Sequence, residues 1–231
     1  MAEPSNIDNL IVVGAGGHGS EVLSYLRTLQ VSVGGPRLVG FVDEVRKNGP
    51  WEGTEVLGDF DALTRHLAGR GPERYGYHLA VGSPDLRRRF FARLSQADLQ
   101  SLLPWTLVHP GAIIGRDVTL ALGVLVAPGG VLTTRIVVGA HSIINVGVSI
   151  SHGCALGEFV TINPGARLCG DVQVGDGVTV GAGATVIEKI SLGNGAVIGA
   201  GAVVIDDVPP GVTVAGVPAR PITRRAAVGH S

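Results

Sequence analysis

Two short segments of the chain hold residue types and spacings that chemistry needs. One is the glycine-rich loop 14–19, with the sequence GAGGHG, which follows an apolar run and precedes helical spacing. The other is the segment 149–159 around His152, a residue type that titrates near neutral pH and can take a proton from an attacking amine or hydroxyl. The first pattern predicts a phosphate-binding turn, and the second predicts acid–base chemistry.

The loop 14–19 has the sequence context of a dinucleotide fingerprint. Glycines let the backbone approach a ligand closely, and the N-terminus of the following helix attracts phosphate. Asp43 ends the next strand-like run, where a carboxylate can accept hydrogen bonds from a base or a ribose. A tight strand-to-helix turn without a ligand is the alternative. NAD is disfavoured, because about a hundred residues precede the repeat described below, which is half of a full dinucleotide fold.

The other histidines and the two cysteines are weaker candidates for catalysis or metal binding. His141 falls three residues after an inward-facing aliphatic position, on a corner or outer face, and is the next candidate after His152. The spacing of the histidines is not that of a metal site, and Cys154 and Cys169 are too few for a four-thiolate zinc site. We expect no metal, and we expect both thiols to be reduced and packed.

The elements that must position the glycine-rich loop fill the first hundred residues. Ser83 followed by Pro84 is a good start for a helix that runs through Leu94. Strand-like and helical runs alternate along this part, with strands predicted at Asn9–Val13, Leu38–Asp43 and His78–Gly82 and a further helix at Asp59–Leu67. Alternation of this kind predicts an α/β domain with a small Rossmann-like βαβ sheet.

From Ile114 onward the chain repeats every six residues. Sixteen successive positions at this spacing, from Ile114 to Val204, are Val, Ile or Leu without an insertion. This period fits short flat strands joined by tight corners, and three such sides close a coil of about eighteen residues. The sequence therefore predicts a parallel β-helix of hexapeptide repeats with about five coils.

Composition restricts the function classes. The chain has 231 residues, a net charge of −1 and only 16% charged residues, so it lacks the basic surplus that nucleic-acid binding needs. It has no secretory signal pattern and no apolar stretch near the ~20 residues that span a bilayer. We expect a soluble cytoplasmic protein without a membrane partner. Its predicted divisions are an α/β domain at 1–105, a β-helix at 106–222 and a tail at 223–231.

The repeat resembles that of the left-handed β-helix acyltransferases, and the segment 215–220, AGVPAR, resembles the close that follows their last coil. With the GAGGHG loop ahead of the repeat, residues 8–222 resemble the PglD/NeuD family of nucleotide-sugar N-acetyltransferases and sialic-acid O-acetyltransferases. The resemblance implies a left-handed β-helix, acetyl-CoA as co-substrate, and a homotrimer with acyl-CoA sites between subunits.

The resemblance also assigns roles to single residues. His152 matches the family's general base, through Asn145 upstream and the segment 157–159 downstream, and Asn145 is assigned to the catalytic set with it. The resemblance places the backbone N–H of Gly170 in an oxyanion hole, and it places the pantetheine arm of acetyl-CoA along Ala182 and Ala200. Thr161 replaces a histidine that some members set near the thioester. The residues expected to bind the nucleotide-sugar are Gly16, Gly17, His18, Asp43, Glu44, Gly82, Ser83 and Arg87.

Some alternatives remain open beside these roles. His152 could be a structural histidine, and the coil residues could be ordinary corner residues. Arg88 or Arg89 could serve as well as Arg87, or form a solvated face. The bare strand-to-helix turn also remains possible for the glycine-rich loop.

One position departs from the family pattern. The family usually has Glu or Asp directly after the general-base histidine, where the carboxylate orients the ring, but here the residue is Gly153. Three explanations are open. Another acid replaces it, either Glu158 or one from a neighbouring subunit; the base acts without an acid; or catalysis has been lost.

The leading interpretation is an acetyl-CoA-dependent N-acetyltransferase. It would act on the amine of a UDP- or dTDP-linked amino-sugar, with direct attack on the thioester and His152 as general base. A neutral amine needs less help than a hydroxyl, so Gly153 favours an amine acceptor. An O-acetyltransferase acting on a sialic acid or similar sugar is the runner-up. A non-catalytic trimeric scaffold is the third possibility.

Overall fold

The computed structural model describes residues 7–68 and 73–222, and the tail predicted at 223–231 lies outside them. The α/β part consists of β1 Asn9–Val13, α1 Gly17–Ser32, β2 Arg37–Val42, β3 Gly49–Trp51, β4 Thr54–Gly58, α2 Phe60–Leu67, β5 Tyr75–Leu79, α3 Pro84–Leu94 and β6 Leu103–Pro104. Its sheet has the strand order β3-β4-β2-β1-β5-β6, and only the β3–β4 pair is antiparallel.

The two predicted helix starts carry side-chain caps. The Asp59 carboxylate accepts from the Ala62 N–H at 2.8 Å, and the Ser83 hydroxyl accepts from the Leu86 N–H at 3.4 Å. The strand predicted at His78–Gly82 instead spans Tyr75–Leu79, because a run of Tyr, Gly, Tyr and His forms the buried strand and the aliphatic signal starts only at its end.

The second part is a left-handed parallel β-helix, as predicted. Its strands form three stacked sheets, here called face 1, face 2 and face 3. Face 1 contains β7 Leu107–Val108, β10 Leu125–Val126, β13 Ile143–Ile144, β16 Thr161–Ile162, β19 Thr179–Val180, β22 Val197–Ile198, β24 Thr213–Ala215 and β25 Arg220–Pro221. Face 2 contains β8 Ile113–Ile114, β11 Val131–Leu132, β14 Ser149–Ile150, β17 Arg167–Leu168, β20 Thr185–Val186 and β23 Val203–Val204. Face 3 contains β9 Val118–Leu120, β12 Ile136–Val138, β15 Ala155–Leu156, β18 Gln173–Val174 and β21 Ser191–Leu192.

Each coil lies eighteen residues from the next. Ile144 pairs with Ile162 on face 1, Ile150 with Leu168 on face 2 and Leu156 with Val174 on face 3. Of the sixteen repeat positions, only those in the first coil, Ile114 and Leu120, are less than fully buried. The six-residue pattern is therefore the inward side of the coil, and burial of these aliphatic side chains stabilises the stack.

The turn between face 2 and face 3, called corner 2–3, has a left-handed residue in every coil. This column consists of Asp117, Arg135, Gly153, Asp171 and Lys189, with φ angles of 58°, 52°, 73°, 60° and 61°. Four of the five members carry a side chain, so the backbone at this corner accepts residues other than glycine. The equivalent turns between faces 1 and 2 and between faces 3 and 1 are called corner 1–2 and corner 3–1.

The α/β domain covers face 1. Leu125 and Ile143, which point outward from face 1, share one buried cluster with Leu10, Val12 and Val22 of the α/β domain. The two parts thus share an apolar core. Among the described residues, no helix is both long and apolar enough to cross a bilayer.

Candidate active site

His152 lies at corner 2–3, two residues after the end of β14, and about half of its side chain is exposed. Its ring leans over Gly170, which occupies the same position one coil later. A Cβ atom added at Gly170 would lie 2.5 Å from His152 Cε1 and 2.8 Å from Nε2. The imidazole can rest there only because position 170 has no side chain.

Gly170 lies buried beneath that ring. Within residues 7–68 and 73–222, its N–H donates to no hydrogen-bond acceptor, whereas its carbonyl accepts from the Lys189 N–H at 2.9 Å. A free N–H beside an imidazole is the arrangement in which a developing oxyanion can be stabilised while the ring moves a proton.

The acid nearest to His152 is Asp171. Its Oδ1 lies 3.9 Å from His152 Nδ1, and both side chains are about half exposed. Glu158, one of the predicted replacements, follows β15 at corner 3–1, and its backbone N–H donates to the Asp176 carboxylate at 2.8 Å. Within one chain, Glu158 therefore belongs to a different edge of the β-helix and is not the partner of His152.

Corner 1–2 holds Asn145, which was assigned a catalytic role, and Ala182 and Ala200, which were assigned to acetyl-CoA. Asn145, Ala182 and Ala200 each follow a face 1 strand, so they form a separate edge from His152 and Gly170. Ala182 and Ala200 are exposed, and Asn145 Oδ1 accepts from the Val146 N–H at 2.8 Å. A side of six residues at about 3.3 Å per residue separates the two edges by roughly 20 Å. One chain thus presents the two predicted halves of the acetyl-CoA site on different edges.

Thr161 and Arg87 are not at the predicted sites. Arg87 is fully buried, and its guanidinium donates to the carbonyls of Val81, Gly82, His141, Phe159 and Val160 and to the Thr161 hydroxyl. Burial lowers the pKa of Arg87 to about 9, which leaves it charged at neutral pH. Every nitrogen of the group is bonded to protein oxygen, so Arg87 joins the two domains and cannot serve as a nucleotide ligand, and the Thr161 hydroxyl is equally enclosed.

His141 belongs to the same interface. Its side chain is buried and stacks on Phe159 and Tyr77, with ring centroids 5.2 and 5.9 Å away. Burial, with the charge of Arg87 as a smaller cause, lowers the pKa of His141 to about 4. A neutral, enclosed imidazole of this kind packs between domains and does not reach a substrate.

Loops after β1, β2 and β5 meet at one edge of the α/β sheet, at the point where the strand order reverses on either side of β1. A Cβ at Gly16 or Gly17 would meet no atom within 4 Å, whereas one at Gly14 would lie 2.7 Å from the Ala80 carbonyl oxygen. Gly14 is thus needed for packing, and the open side of the loop is at Gly16 and Gly17.

Asp43 stabilises the glycine-rich loop through hydrogen bonds to its backbone. Its carboxylate accepts from the N–H groups of Ala15, Val45 and Arg46 at 2.8–2.9 Å. Partial burial opposes ionisation, but these hydrogen bonds and the charge of Arg46 lower the pKa of Asp43 overall. Both oxygens of Asp43 therefore hold backbone already, which makes it a residue that shapes the loop.

Arg46, which the sequence did not single out, lies at the mouth of the loop. Its Nε donates to the Ala15 carbonyl at 2.7 Å, its Cζ lies 5.8 Å from the Trp51 ring centroid, and the residue is exposed. Its position three residues after Asp43 was the available signal. Arg46 is thus an exposed cation fixed beside a glycine-rich turn.

The remaining predicted nucleotide-sugar residues surround the same edge. His18 Nδ1 lies 3.0 Å from Glu21 Oε2, and Glu44 pairs with Arg89 at 3.8 Å. Ser83 caps α3, and the Gly82 carbonyl accepts from Arg87 and Thr161. Glu44 and Ser83 are exposed, whereas the His18 side chain is only 15% exposed.

The cysteines are not paired with each other. The buried Cys154 thiol donates to the Cys169 carbonyl at 3.1 Å, and burial raises its pKa. No group of three or more His, Cys, Asp or Glu side chains in the described ranges is arranged to hold a metal ion.

Two family models match the chain, the PglD N-terminal domain over residues 9–94 and the bacterial transferase hexapeptide over residues 153–188. Among solved structures, the acetyltransferase domain of PglB from Neisseria gonorrhoeae is 32% identical, with a TM-score of 0.83 over 93% of this chain and 100% of that one. The same domain in complex with acetyl coenzyme A is 31% identical, with a TM-score of 0.79 over 94% and 100% of the two chains.

PerB from Caulobacter crescentus, in complex with CoA and GDP-perosamine, is 29% identical, with a TM-score of 0.81 over 93% of this chain and 97% of that one. A comparison with the curated proteins found no match. The similarity therefore spans both the α/β domain and the β-helix.

Proposed function

The chain belongs to the PglD/NeuD-like family of hexapeptide-repeat nucleotide-sugar acetyltransferases, and from that premise we propose that it N-acetylates a nucleotide-linked amino-sugar with acetyl-CoA. The observation that carries the proposal is the pair formed by His152 and Gly170, an accessible imidazole lying on a glycine whose N–H has no acceptor among the described residues. PglB bound to acetyl coenzyme A and PerB bound to CoA and GDP-perosamine support it.

The proposed reaction is direct acetyl transfer. The amine lone pair attacks the thioester carbonyl carbon, a C–N bond forms, and the carbonyl oxygen becomes an oxyanion that the Gly170 N–H stabilises. His152 accepts the proton lost by the attacking nitrogen. Collapse of the tetrahedral intermediate breaks the C–S bond and releases CoA as a thiolate, which then takes up a proton.

The proposed acetyl-CoA site lies between two subunits of a trimer. His152 and Gly170 lie at corner 2–3, and Asn145, Ala182 and Ala200 lie at corner 1–2, so the two sets can meet only across a subunit boundary. Face 2 lies between these corners, and its outward strand positions are short or apolar except for one, as in Ile113, Val131, Ser149, Arg167, Thr185 and Val203. Such a flat face suits packing against a second copy.

The proposed nucleotide site is the loop edge of the α/β domain. Gly16 and Gly17 leave room for a phosphate at the N-terminus of α1, and Arg46 supplies the cation that Arg87 cannot supply. His18 and Glu44 border the same opening. Our proposed nucleotide is UDP or dTDP. Because PerB was solved with a GDP-linked sugar, GDP-sugars belong in the test.

The choice of an amine acceptor now depends on the comparison with PerB. The absence of an acid at Gly153 had favoured an amine, but Asp171 brings a carboxylate to the His152 ring from the next coil. The N-acetyltransferase activity named for the perosamine enzyme, which is 29% identical, supports the amine instead.

Incubation with acetyl-CoA and a panel of UDP-, dTDP- and GDP-linked amino-sugars, followed by mass spectrometry, tests this proposal. We expect one acceptor to gain an acetyl group that resists mild base, as an amide does and an ester does not. An ester product would favour the O-acetyltransferase. A panel without any acetylated product, with an N-acylated sialic acid included as a hydroxyl acceptor, would contradict the proposal.

A further inference from the structure

We infer that Asp171 is a positioning residue for His152, which rests on the proposed function. The two residues are nineteen apart in sequence, but the coil brings the Asp171 carboxylate within 3.9 Å of His152 Nδ1. Among the ion pairs of the described residues, this is the one that includes His152.

The coil geometry fixes which residues share this corner. The Asp171 N–H donates to the His152 carbonyl at 2.8 Å, so the backbone of one coil holds the next directly beneath it. Position 171 is the left-handed column position that follows Gly153. His152 therefore has Gly153 beside it in its own coil and Asp171 below.

Gly153 makes the space that the carboxylate fills. A Cβ built at Gly153 would lie 2.0 Å from Asp171 Oδ1 and 3.1 Å from its Cγ. A side chain at position 153 and the observed Asp171 rotamer are mutually exclusive. Glycine is not required there by the backbone, since Arg135 and Lys189 take the same left-handed conformation in the same column.

The Asp171 carboxylate contacts Nδ1 of His152, the ring nitrogen on which an orienting acid acts. Asp171 meets Nδ1, while Nε2 lies over Gly170, whose N–H has no acceptor among the described residues. A carboxylate at Nδ1 favours the tautomer that leaves Nε2 free to accept a proton, and it stabilises the imidazolium that results. At 3.9 Å the pair is an ion contact and not yet a hydrogen bond, and such contacts shorten when substrate binds.

The test compares Asp171→Asn with Asp117→Asn in the full chain. Asp117 has the same left-handed conformation in the same column three coils earlier, and it pairs with Arg116 at 3.2 Å. We expect Asp171→Asn to lower kcat about tenfold or more with little change in the KM for acetyl-CoA, because the buried aspartate of a hydrolase triad sets a ceiling near 10⁴. Asp117→Asn should leave kcat unchanged.

A relocated acid provides the second arm. The double variant Gly153→Asp with Asp171→Gly moves the carboxylate by one coil, and we expect it to recover more activity than Asp171→Gly alone. A structural role for Asp171 would not produce that rescue. A kcat for Asp171→Asn equal to that of Asp117→Asn, while His152→Ala is slow, would overturn the inference.

A third arm separates this inference from the proposed function. Diethyl pyrocarbonate modifies neutral imidazole nitrogens, and mass spectrometry follows the His152 peptide whether or not the protein acetylates a sugar. At about pH 8.5, where imidazoles are neutral, we expect slower modification of His152 in Asp171→Asn than in Asp117→Asn, because the ring loses the carboxylate that increases its nucleophilicity. Equal rates would overturn the role of Asp171, whereas lack of acetyl transfer by the unaltered chain would count against the proposed function alone.

Discussion

The guanidinium of Arg87 donates to the hydroxyl of Thr161 at 2.9 Å, across 74 residues of sequence and across the boundary between the two domains. The same hydroxyl donates to the Gly82 carbonyl at 3.0 Å. These contacts connect α3 and the loop after β5 to face 1 of the β-helix. The nucleotide edge and the β-helix are therefore held in one fixed relationship by a buried polar cluster.

Replacing Arg87 with Met should destabilise the protein by about 3–5 kcal/mol, because it leaves several buried carbonyls without donors. Denaturant unfolding measures this change in free energy. Arg89→Met is the matched control on the same helix, since its side chain is 71% exposed and its ion pair with Glu44 is 3.8 Å long. That variant should differ from the unaltered protein by less than about 0.5 kcal/mol. Similar losses in both variants would contradict the role of Arg87.

Stability should fall in mild acid because of two buried histidines. Burial is the main reason that the pKa values of His78 and His141 are lowered to about 4, below the ~6.5 expected in the unfolded chain. The unfolded chain therefore binds protons between pH 6.5 and 4 that the native state excludes. This contribution is complete above about pH 6.5 and is lost as the pH falls towards 4, at most roughly 3 kcal/mol for each group.

Urea unfolding at several pH values from 7.5 to 4.5 measures this loss. His141→Phe should flatten the dependence, because Phe fills the same stacked position without a titrating nitrogen. Phe159 already shows that this ring type accepts the φ of 55° found at His141. An unchanged slope in His141→Phe would refute the assignment of the acid lability to this residue.

Gly17→Val should weaken nucleotide-sugar binding and leave CoA binding intact. A Cβ at position 17 meets no protein atom within 4 Å, so the valine side chain projects into the space where a phosphate would approach α1. Isothermal titration calorimetry with each ligand separates the two sites. Gly19→Ala is the contrasting variant, because its Cβ would lie 2.2 Å from the Gly14 carbonyl oxygen and should cost stability. Equal loss of both ligands in Gly17→Val would point to a folding defect.

His152→Ala should lower kcat by roughly 10²–10⁴, the range for loss of a general base, with little change in stability or CoA affinity. Steady-state kinetics from pH 6 to 9 measures the change. The deficit should shrink as the pH rises, because more of the amine acceptor is then neutral. Full activity across this range would remove His152 from the mechanism.

Gly170→Ala should also lower kcat without unfolding the protein. Its methyl group would lie 2.5 Å from His152 Cε1, and the ring can turn outward to avoid it, but it then leaves its observed position. In the His152→Ala background the same change should cost much less, since no ring remains to be displaced. A double-mutant cycle on kcat measures the coupling, and purely additive losses would show that the two residues act separately.

The sequence predicted the β-helix well because its signal is local and repeated. Every inward position from Val126 to Val204 is a buried aliphatic residue, and the period by itself defines the coil. Adding eighteen to 153 also gives 171, so the neighbour of His152 could have been found by extending the same arithmetic. Asp171 was missed because it is nineteen residues from His152 along the chain and adjacent to it only in the stack of coils.

The role of Arg87 could not be predicted in the same way. Its position just after a strand end and a helix cap is typical of a ligand-binding residue, and its burial depends on how the α/β domain docks on face 1. Docking is set by outward residues such as Leu125 and Ile143, which share one column of face 1 but lie outside the six-residue pattern of inward positions. Strand β5 was misplaced by three residues for a related reason, since Tyr77 and His78 gave no aliphatic signal.

The left-handed column at corner 2–3 has a consequence for how such enzymes can change. Successive coils offer nearly the same backbone conformation eighteen residues apart. A pair of substitutions can therefore move a functional group from one coil to the next. Gly153 and Asp171 fit such an exchange, because a side chain at position 153 would occupy the space that the Asp171 carboxylate fills. The catalytic side chains of a solenoid can therefore be repositioned along an edge without any change in its core.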